Sequence, residues 1–371
     1  MHHNGFAVIM VSAADKGLPV LLENEDCPHI VVSMTRKITP FSDMKCILKL
    51  IKIFKKHRPD IVHTETPKAG LLGMIAARLS GVKIRIHTVA GMPLMVEKGT
   101  RLRLLRAIEK TTYAAATDVW PNSHSLESFI IKNNFAPASK IKVIGAGSSN
   151  GVNTERFNRA NINEQILSDI KRSVQYSKEN VYLLFIGRFV KDKGLTELVN
   201  VFTELQKERP ALRLILAGDY EPHLDPLPAD THDRIDNSIN ITHISWTDHV
   251  EYYMAISDYF VFPSYREGFP NVLLEAAAME LPIICSRITG NVDIVTHNET
   301  GLIFESENEA DLKEKLVIAL DNPGNMAGMA QKLHRAVITL YKRENFWENM
   351  RSEYNALLAR QKLRRLPDDK Q

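Results

Sequence analysis

The sequence predicts an α/β protein of two doubly wound domains that face each other across a central cleft. Short apolar runs alternate with helical patterns along the whole chain, which is typical of parallel sheets covered by helices. At 371 residues the chain is also longer than a single hydrophobic core normally requires. The small, polar segment 147–153 suits an interdomain connection. We therefore expect domains at 1–150 and 151–340, and a C-terminal helix within 341–371 that packs back on the first domain.

The individual elements are predicted from the spacing of apolar residues, which is continuous or alternating in strands and roughly three to four residues in helices. In the first domain we expect strands at 6–12, 29–33, 60–63, 84–88, 118–121 and 142–145, and helices at 43–56, 69–80, 101–116 and 126–133. In the second we expect strands at 181–186, 212–217, 239–244, 259–262, 282–286 and 301–304, and helices at 195–209, 248–257, 271–280 and 309–320. Ligands bind at the carboxyl ends of such strands, so the residues that follow them are candidates for a site.

A basic turn connects the strand at 181–186 to the helix at 195–209. It begins with Gly187 and Arg188 and ends shortly after Lys193. Helix N-termini favour anions, and a fixed guanidinium and ammonium stabilise the negative charge that a departing diphosphate gains. We predict that Arg188 and Lys193 bind such a diphosphate. The alternative is a solvated basic loop that caps the helix.

Two carboxylates, Glu267 and Glu275, follow the strand at 259–262. Gly268 and Pro270 place the first in a loop, because proline suits the start of a helix, and the second then lies in the second helical turn. Carboxylates accept hydrogen bonds from the hydroxyl groups of a sugar or a ribose, and an unpaired acid on an apolar, buried helix is costly. Cations for a diphosphate and acids for hydroxyl groups together predict a nucleotide-sugar site. The alternative is a pair of surface acids beside a turn.

Further donor-side candidates surround these acids. Gly290 follows the strand at 282–286 and is expected to bring a backbone amide to the phosphates, with a plain turn as the alternative. The others lie between the two acids and are Gly268, Phe269, Pro270, Asn271 and Val272.

Candidates for binding the acceptor lie in the first half of the chain. Two polar segments leave predicted strand ends and enter the expected cleft. One contains His63, Thr66 and Lys68, and the other contains His87 and Gly91. A single histidine in a cleft is more often structural, so we assign these residues to binding rather than to proton transfer.

The charge of the chain is unevenly distributed. Residues 1–150 contain 21 Lys and Arg against 11 Asp and Glu, whereas the remainder contains 26 against 33. Cationic amphipathic helices at 45–56 and 98–110 contribute much of the excess, and such helices often lie on anionic membrane surfaces. We therefore predict a peripheral contact with an anionic membrane. The alternative is that their apolar residues pack on the sheet while the basic residues are solvated.

Composition limits the remaining possibilities. The three cysteines show no paired or metal-ligand spacing, so reduced thiols in a cytoplasmic protein are expected. No apolar run is long enough to span a bilayer, and the first residues do not form a signal peptide. We also expect no cofactor and no nucleic-acid partner.

With these residues identified, the sequence resembles glycosyltransferase family 4, whose members are retaining enzymes of the GT-B fold with two Rossmann-like domains. The resemblance covers nearly the whole chain. It rests on Gly187-Arg188 with Lys193-Gly194, on the Glu267 and Glu275 pair, and on Asn150-Gly151-Val152. Tyr220-Glu221 with Asp225-Pro226-Leu227-Pro228, and the segment 263–270, look like the bacterial branch that builds capsular and exopolysaccharide repeat units.

The resemblance implies metal-independent transfer of a hexosyl unit from a nucleoside diphosphate sugar, with uridine as the commonest base. Arg188 and Lys193 would hold the diphosphate, Glu267 the transferred sugar and Glu275 the ribose. The acceptor in this branch is commonly a polyprenyl-diphosphate-linked saccharide at the inner membrane face, which a basic N-terminal half would fit. No protein nucleophile is established for such enzymes. The usual proposal is a front-face displacement in which the departing phosphate helps to deprotonate the acceptor.

Two departures from the family pattern affect these expectations. Members begin with a strand and a glycine-bearing loop that this sequence lacks, so we expect the first strand of the N-terminal domain to be missing and the start of the chain to be wrongly assigned or truncated. Many members carry His or Arg where Ala90 stands, so a direct role from that position is not expected. These departures leave a donor-binding pseudoenzyme of a polysaccharide assembly complex as an alternative. A nucleotide-sugar epimerase of similar two-domain shape is a second alternative, although the N-terminal half shows no acidic or histidine set clearly suited to proton abstraction.

Overall fold

The computed structural model describes residues 5–14, 18–24, 27–35, 39–95, 98–221, 223 and 225–363, and the chain divides into two compact units. The first unit comprises the described residues within 1–122, 127–144 and 348–371. The second comprises residues 123–126 and those described within 145–347. The connection predicted at 147–153 lies in the second unit.

The first unit contains parallel strands covered by helices. Its described strands are β1 (Met10–Ser12), β2 (His29–Val31), β3 (Ile61–Thr64), β4 (Ile84–Val89) and β5 (Asp118–Pro121). β1 pairs with β2, and β3, β4 and β5 form a three-stranded sheet in that order. The helices of this part of the chain are α1 (Leu18–Asn24), α2 (Pro40–His57), α3 (Pro67–Leu79), α4 (Gly99–Ala115) and α5 (His124–Lys132).

The second unit contains a six-stranded parallel sheet in the order β11-β10-β9-β6-β7-β8. Its strands are β6 (Val181–Ile186), β7 (Leu212–Ala217), β8 (Ile241–Ile244), β9 (Tyr259–Phe262), β10 (Ile283–Ser286) and β11 (Leu302–Phe304). Its helices are α6 (Glu164–Ser173), α7 (Leu195–Glu208), α8 (Ala229–Asn237), α9 (Val250–Ile256), α10 (Asn271–Ala278), α11 (Asn291–Ile294), α12 (Glu309–Asp321) and α13 (Pro323–Leu340). The strand order reverses between β6 and β9, and ligands of such sheets bind at this switch point.

The central strands β6, β9 and β10 form much of the core of the second unit. Every residue of β9 and β10 is buried, as are the four central residues of β6, because helices cover both faces of a parallel sheet. The last helix, α14 (Arg343–Leu363), begins in the second unit and ends in the first. Among the described helices, none has the length and apolar content needed to cross a membrane.

The strand predicted at 142–145 was wrong. Ile141 makes only an isolated bridge to Val119, and the chain then turns through Gly145 and Gly147, which both have positive φ. Such a conformation ends extended pairing. The strands predicted at 6–12 and 29–33 are present but shorter.

Candidate functional site

A basic loop, residues 187–194, follows β6 at the switch point, and its last residue fixes its position. Gly194 has a φ of 69°, and a Cβ atom there would lie 2.2 Å from the carbonyl oxygen of Pro263. Only glycine permits both the left-handed backbone and this close approach. The basic loop therefore lies directly against the end of β9, where the acidic loop, residues 263–270, begins.

Lys193 and Glu267 meet where these two loops touch. The ammonium group of Lys193 forms an ion pair with Oε1 of Glu267, and the Ser264 hydroxyl donates to the same oxygen at 3.0 Å. The two charged side chains are only 15% and 19% exposed, so water screens the pair weakly. The structure thus brings together the cation and the acid that the sequence predicted for one site.

Arg188 lies in the basic loop but does not contact Glu267. Its Nη1 atom donates to Oε2 of Glu221 at 2.9 Å, and both side chains are close to half exposed. The backbone amide of the neighbouring Gly187 donates to the carbonyl oxygen of Ala217 at 2.9 Å. Gly187 therefore extends the sheet, whereas the guanidinium of Arg188 reaches solvent.

Glu275 lies in the second turn of α10, as predicted, and it is partly buried. Within the described residues no side chain or backbone group forms a hydrogen bond with its carboxylate. Burial raises its pKa to about 7, while the nearby guanidinium groups of Arg156 and Arg343 act in the opposite direction. Arg156 itself is paired with Glu251 at 2.8 Å. The carboxylate of Glu275 is thus free to accept hydrogen bonds from a ligand.

Gly290 closes against the acidic loop. Its φ is 87°, and a Cβ atom there would lie 2.6 Å from the carbonyl oxygen of Gly268. Its amide donates to Oδ2 of Asp293 at 3.1 Å and to the hydroxyl of Ser125 at 3.3 Å. Because these protein groups already occupy the amide, the predicted contact of the Gly290 amide with phosphate would require them to be displaced.

The remaining donor-side candidates line the start of α10. Gly268, Phe269 and Pro270 are buried, and the Phe269 ring contacts Tyr341 at 5.4 Å between centroids. Asn271 and Val272 are partly exposed in the first helical turn. The part of the chain that the structure describes contains no group of three or more His, Cys, Asp or Glu side chains suited to a metal ion.

His63 and His87, in the first unit, are both bonded to neighbouring side chains. The ring of His63 hydrogen-bonds to the hydroxyl groups of Tyr354 at 2.5 Å and Thr88 at 2.7 Å, so both of its nitrogens are occupied. Nδ1 of His87 lies 2.9 Å from the Thr64 hydroxyl. Burial lowers the pKa of His63 to about 3 and that of His87 to about 4, which keeps both rings uncharged at neutral pH.

The other acceptor-side candidates are distributed around α3 and β4. Lys68 donates to Oδ2 of Asp43 at 2.6 Å, and both side chains are largely buried. Thr66 immediately precedes α3 in an extended conformation, and its side chain is exposed. Gly91, which follows β4, has a φ of 148°. The cation predicted for an anionic acceptor is therefore already paired with an acid.

Two family profiles match the chain, Glycosyl transferase 4-like domain over residues 1–147 and Glycosyl transferases group 1 over residues 168–338. The capsular polysaccharide biosynthesis glycosyltransferase CapM of Staphylococcus aureus is 35% identical over 333 residues, which cover 88% of this chain and 85% of that protein. The chain belongs to the glycosyltransferases of the capsular polysaccharide branch. An Escherichia coli UDP-Gal:α-D-GlcNAc-diphosphoundecaprenol α-1,3-galactosyltransferase is 30% identical, covering 85% of this chain and 81% of that protein.

Solved structures confirm the GT-B fold of this glycosyltransferase. A glycosyltransferase from Rickettsia africae has a TM-score of 0.78 at 22% identity, covering 96% of this chain and 92% of the other. HepE of Anabaena, solved in complex with UDP, has a TM-score of 0.77 at 16% identity, covering 94% and 92%. The two-domain α/β architecture predicted from the sequence is therefore correct.

Two residues with no role predicted from the sequence, Asp192 and Arg266, join the two loops of the candidate site. Asp192 pairs with Arg266 at 2.6 Å, and its carbonyl oxygen accepts the amide of Tyr265 at 2.8 Å. These contacts fasten the basic loop to the acidic loop beside the Lys193–Glu267 pair. The sequence did contain one indication of this contact, because Asp192 is an acid between Lys191 and Lys193 in an otherwise basic segment.

Proposed function

We propose that this glycosyltransferase moves a hexosyl unit from a nucleoside diphosphate sugar to a polyprenyl-diphosphate-linked saccharide, with retention of configuration and without a metal. The observation that carries the proposal is the ion pair between Lys193 and Glu267, which joins the ends of two different strands at the switch point. A cation suited to a diphosphate there lies beside a carboxylate suited to a sugar hydroxyl. The name of the Escherichia coli relative supports both substrate classes.

Each donor-side residue has one task in this proposal. Lys193 and Arg188 hold the diphosphate and stabilise the charge that it gains as the bond to the sugar breaks. Glu267 accepts a hydrogen bond from the transferred sugar. Glu275, whose carboxylate has no partner among the described residues, accepts the hydroxyl groups of the ribose. We propose uridine as the base, because UDP is bound by HepE and appears in the name of the galactosyltransferase.

The proposed reaction is a front-face displacement. The oxygen of the acceptor hydroxyl bonds to the anomeric carbon on the face from which the diphosphate leaves. The bond between that carbon and the diphosphate oxygen breaks, and its electron pair stays on the diphosphate. The proton of the acceptor hydroxyl passes to the departing phosphate oxygen. No protein base is needed, which agrees with the lowered pKa values and occupied ring nitrogens of His63 and His87.

We also propose that the enzyme acts in the cytoplasm, peripherally at the inner face of the membrane, through α2 and α4. Phe41, Met44 and Leu48 are 91%, 57% and 53% exposed, and their spacing places them along one side of α2. Exposed apolar residues flanked by basic ones are typical of helices that lie on anionic membranes. The exposed basic residues are Lys45, Lys49, Lys52, Lys55 and Lys56 on α2, with Arg101, Arg103, Arg106 and Lys110 on α4.

Incubation of the protein with labelled UDP-sugars and bacterial membrane lipid extract tests the proposed activity. Transfer of label to lipid, with the same anomeric configuration in donor and product by NMR, is the expected result. Interconversion of the free sugar would instead indicate an epimerase. Binding of the donor without turnover would indicate a donor-binding pseudoenzyme. A transferred sugar of inverted configuration would contradict the retaining mechanism alone.

A further inference from the structure

We propose that Glu221 is a positioning residue that holds the guanidinium of Arg188 in place for the donor diphosphate. The inference rests on the proposed donor site. Glu221 belongs to the segment after β7 that resembles the capsular branch. This segment contacts the basic loop through its backbone and through side chains.

The pairing of β6 with β7 continues beyond the ends of both strands. The amide of Gly187 donates to the carbonyl oxygen of Ala217 at 2.9 Å, and the amide of Phe189 donates to that of Asp219 at 2.8 Å. Gly218 makes this possible, because its φ is 148° and a Cβ atom there would lie 1.9 Å from the carbonyl oxygen of Gly187. The basic loop and the segment 218–221 therefore run side by side.

Aromatic packing fixes the residue directly before Glu221. The Tyr220 ring meets the buried ring of Phe189 edge-on at 5.0 Å and stacks on His232 at 4.1 Å between centroids. Its hydroxyl donates to Oδ1 of Asp236 at 3.2 Å. Because Tyr220 is held on several sides, the backbone of Glu221 has a defined place beside the basic loop.

The ion pair itself is suited to ordering Arg188 rather than to stabilising the fold. Nη1 of Arg188 lies 2.9 Å from Oε2 of Glu221, with side-chain exposures of 46% and 37%. A pair this exposed adds little to folding stability. An arginine side chain loses rotational freedom about several bonds when it binds an anion, which costs conformational entropy. If Glu221 orders the side chain beforehand, part of this entropy cost is removed from donor binding.

Glu221 also brings a negative charge towards the diphosphate. The resulting repulsion weakens donor binding, whereas the positioning of Arg188 strengthens it. If positioning dominates, removal of the charge weakens donor binding as long as Arg188 is present. If repulsion dominates, the same change strengthens binding. In a protein that lacks Arg188 only the repulsion is left, so the two backgrounds separate the effects.

Calorimetric titration with UDP, GDP, ADP and dTDP tests this inference. For the nucleotide that the wild type binds, we expect Glu221→Gln to weaken affinity about five-fold, which corresponds to about 1 kcal/mol, without a change in melting temperature. In the Arg188→Ala background the same change is expected to cause no further loss. Asp321→Asn is the matched control, since it removes one acid from the exposed ion pair with Arg209, at 2.6 Å, elsewhere in the unit.

Equal or tighter binding by the single Glu221→Gln variant would overturn the inference. An equal loss in the Arg188→Ala background would overturn it too, because Glu221 would then act independently of Arg188. A wild-type chain that binds none of the four nucleotides would count against the donor site itself and would remove this inference with it.

Discussion

At Glu275 the protein keeps a partly buried carboxylate without a hydrogen-bond partner among the described residues. Burial raises its pKa from 4.5 to about 7, so the folded state binds the proton more tightly than the unfolded state does. The free energy of unfolding therefore falls as the pH rises from about 4.5 to about 7, and the loss is complete above that range. A role of Glu275 in ligand binding explains why the protein retains an acid that destabilises its fold at neutral pH.

Glu275→Gln removes this penalty, because the amide stays uncharged at every pH. We expect the variant to be more stable than the wild type at pH 8, with an advantage about 2 to 3 kcal/mol larger than at pH 5. Urea unfolding at the two pH values measures the difference. Glu299→Gln, at an exposed position, is the control and should show no such dependence. An unchanged stability difference between pH 5 and pH 8 would contradict the burial of Glu275.

Arg188 and Glu275 are also expected to be needed for turnover. Arg188→Ala or Glu275→Ala should lower the rate of sugar transfer at least ~100-fold, in line with the loss of one preorganised charge-stabilising group. Steady-state kinetics with labelled donor measures the effect. Lys191→Ala provides the control, since Lys191 is exposed in the same loop, and its rate should stay within about two-fold of the wild type. Near-normal rates in the Arg188 or Glu275 variant would remove that residue from the site.

At the scale of elements, the contact between the basic and acidic loops depends on Gly194. Alanine there would place its Cβ atom 2.2 Å from the carbonyl oxygen of Pro263 and strain the left-handed backbone. We expect Gly194→Ala to destabilise the protein by about 1 to 3 kcal/mol and to weaken nucleotide binding, because Lys193 would be moved away from Glu267. Chemical unfolding and nucleotide titration measure the two effects.

Gly328 is the matched control for this substitution. It lies inside α13 with open space around the position of a Cβ atom. Gly328→Ala should therefore stabilise the protein by about 0.5 to 1 kcal/mol and leave nucleotide binding unchanged. Equal stability changes at the two glycines would show that the close approach at Gly194 is not a constraint.

Helices α2 and α4 are expected to mediate binding to anionic vesicles. Co-sedimentation with phosphatidylglycerol vesicles should fall as the salt concentration rises. Dissolved ions screen the attraction between the basic side chains of both helices and the anionic lipids. Phe41→Ser, and separately Arg103→Gln with Arg106→Gln, should each weaken binding. Ile239→Ser removes a side chain that is 95% exposed in the second unit and should have no effect. Equal binding to neutral phosphatidylcholine vesicles would contradict the electrostatic contribution.

For the whole molecule, part of the basic excess of residues 1–150 is structural. Arg78, Arg85 and Lys140 donate to carbonyl oxygens at the end of α4. The acceptors are Ala114 at 3.2 Å, Ala115 at 2.7 Å and Ala116 at 2.9 Å, respectively. Cations at this end also complement the helix dipole. The uneven charge of the chain is thus a weaker sign of an anionic partner than the count alone suggests.

The architecture of the second unit was largely predictable from the sequence. The predicted bounds of β6, β7 and β9 agree with the structure, and α10 begins at the predicted residue. These elements are strongly apolar and end at clear turn signals, so local pattern and tertiary burial agree. The Lys193–Glu267 pair followed from the same logic, because the ends of parallel strands share one edge of a sheet.

Other features depend on interactions that a local pattern does not reveal. Helix α8 is polar, with only Thr231 and Ile235 buried, and α13 begins with Pro323-Gly324, which also suits a turn. The partner of His63 that occupies its Nδ1 atom is Tyr354, near the other end of the chain. Nothing in the segment around His63 indicates that its ring is already occupied.

The close approach at Gly194 also bears on the engineering of donor choice. The backbone of residues 187–194 packs closely against residues 263–270. A chimera that takes one of these segments from a relative and leaves the other unchanged would therefore disrupt the contact between them. The segment 218–221 is joined to the first by backbone pairing. If the proposed donor site is correct, a new sugar preference can be transferred to this protein only by exchanging all three segments together.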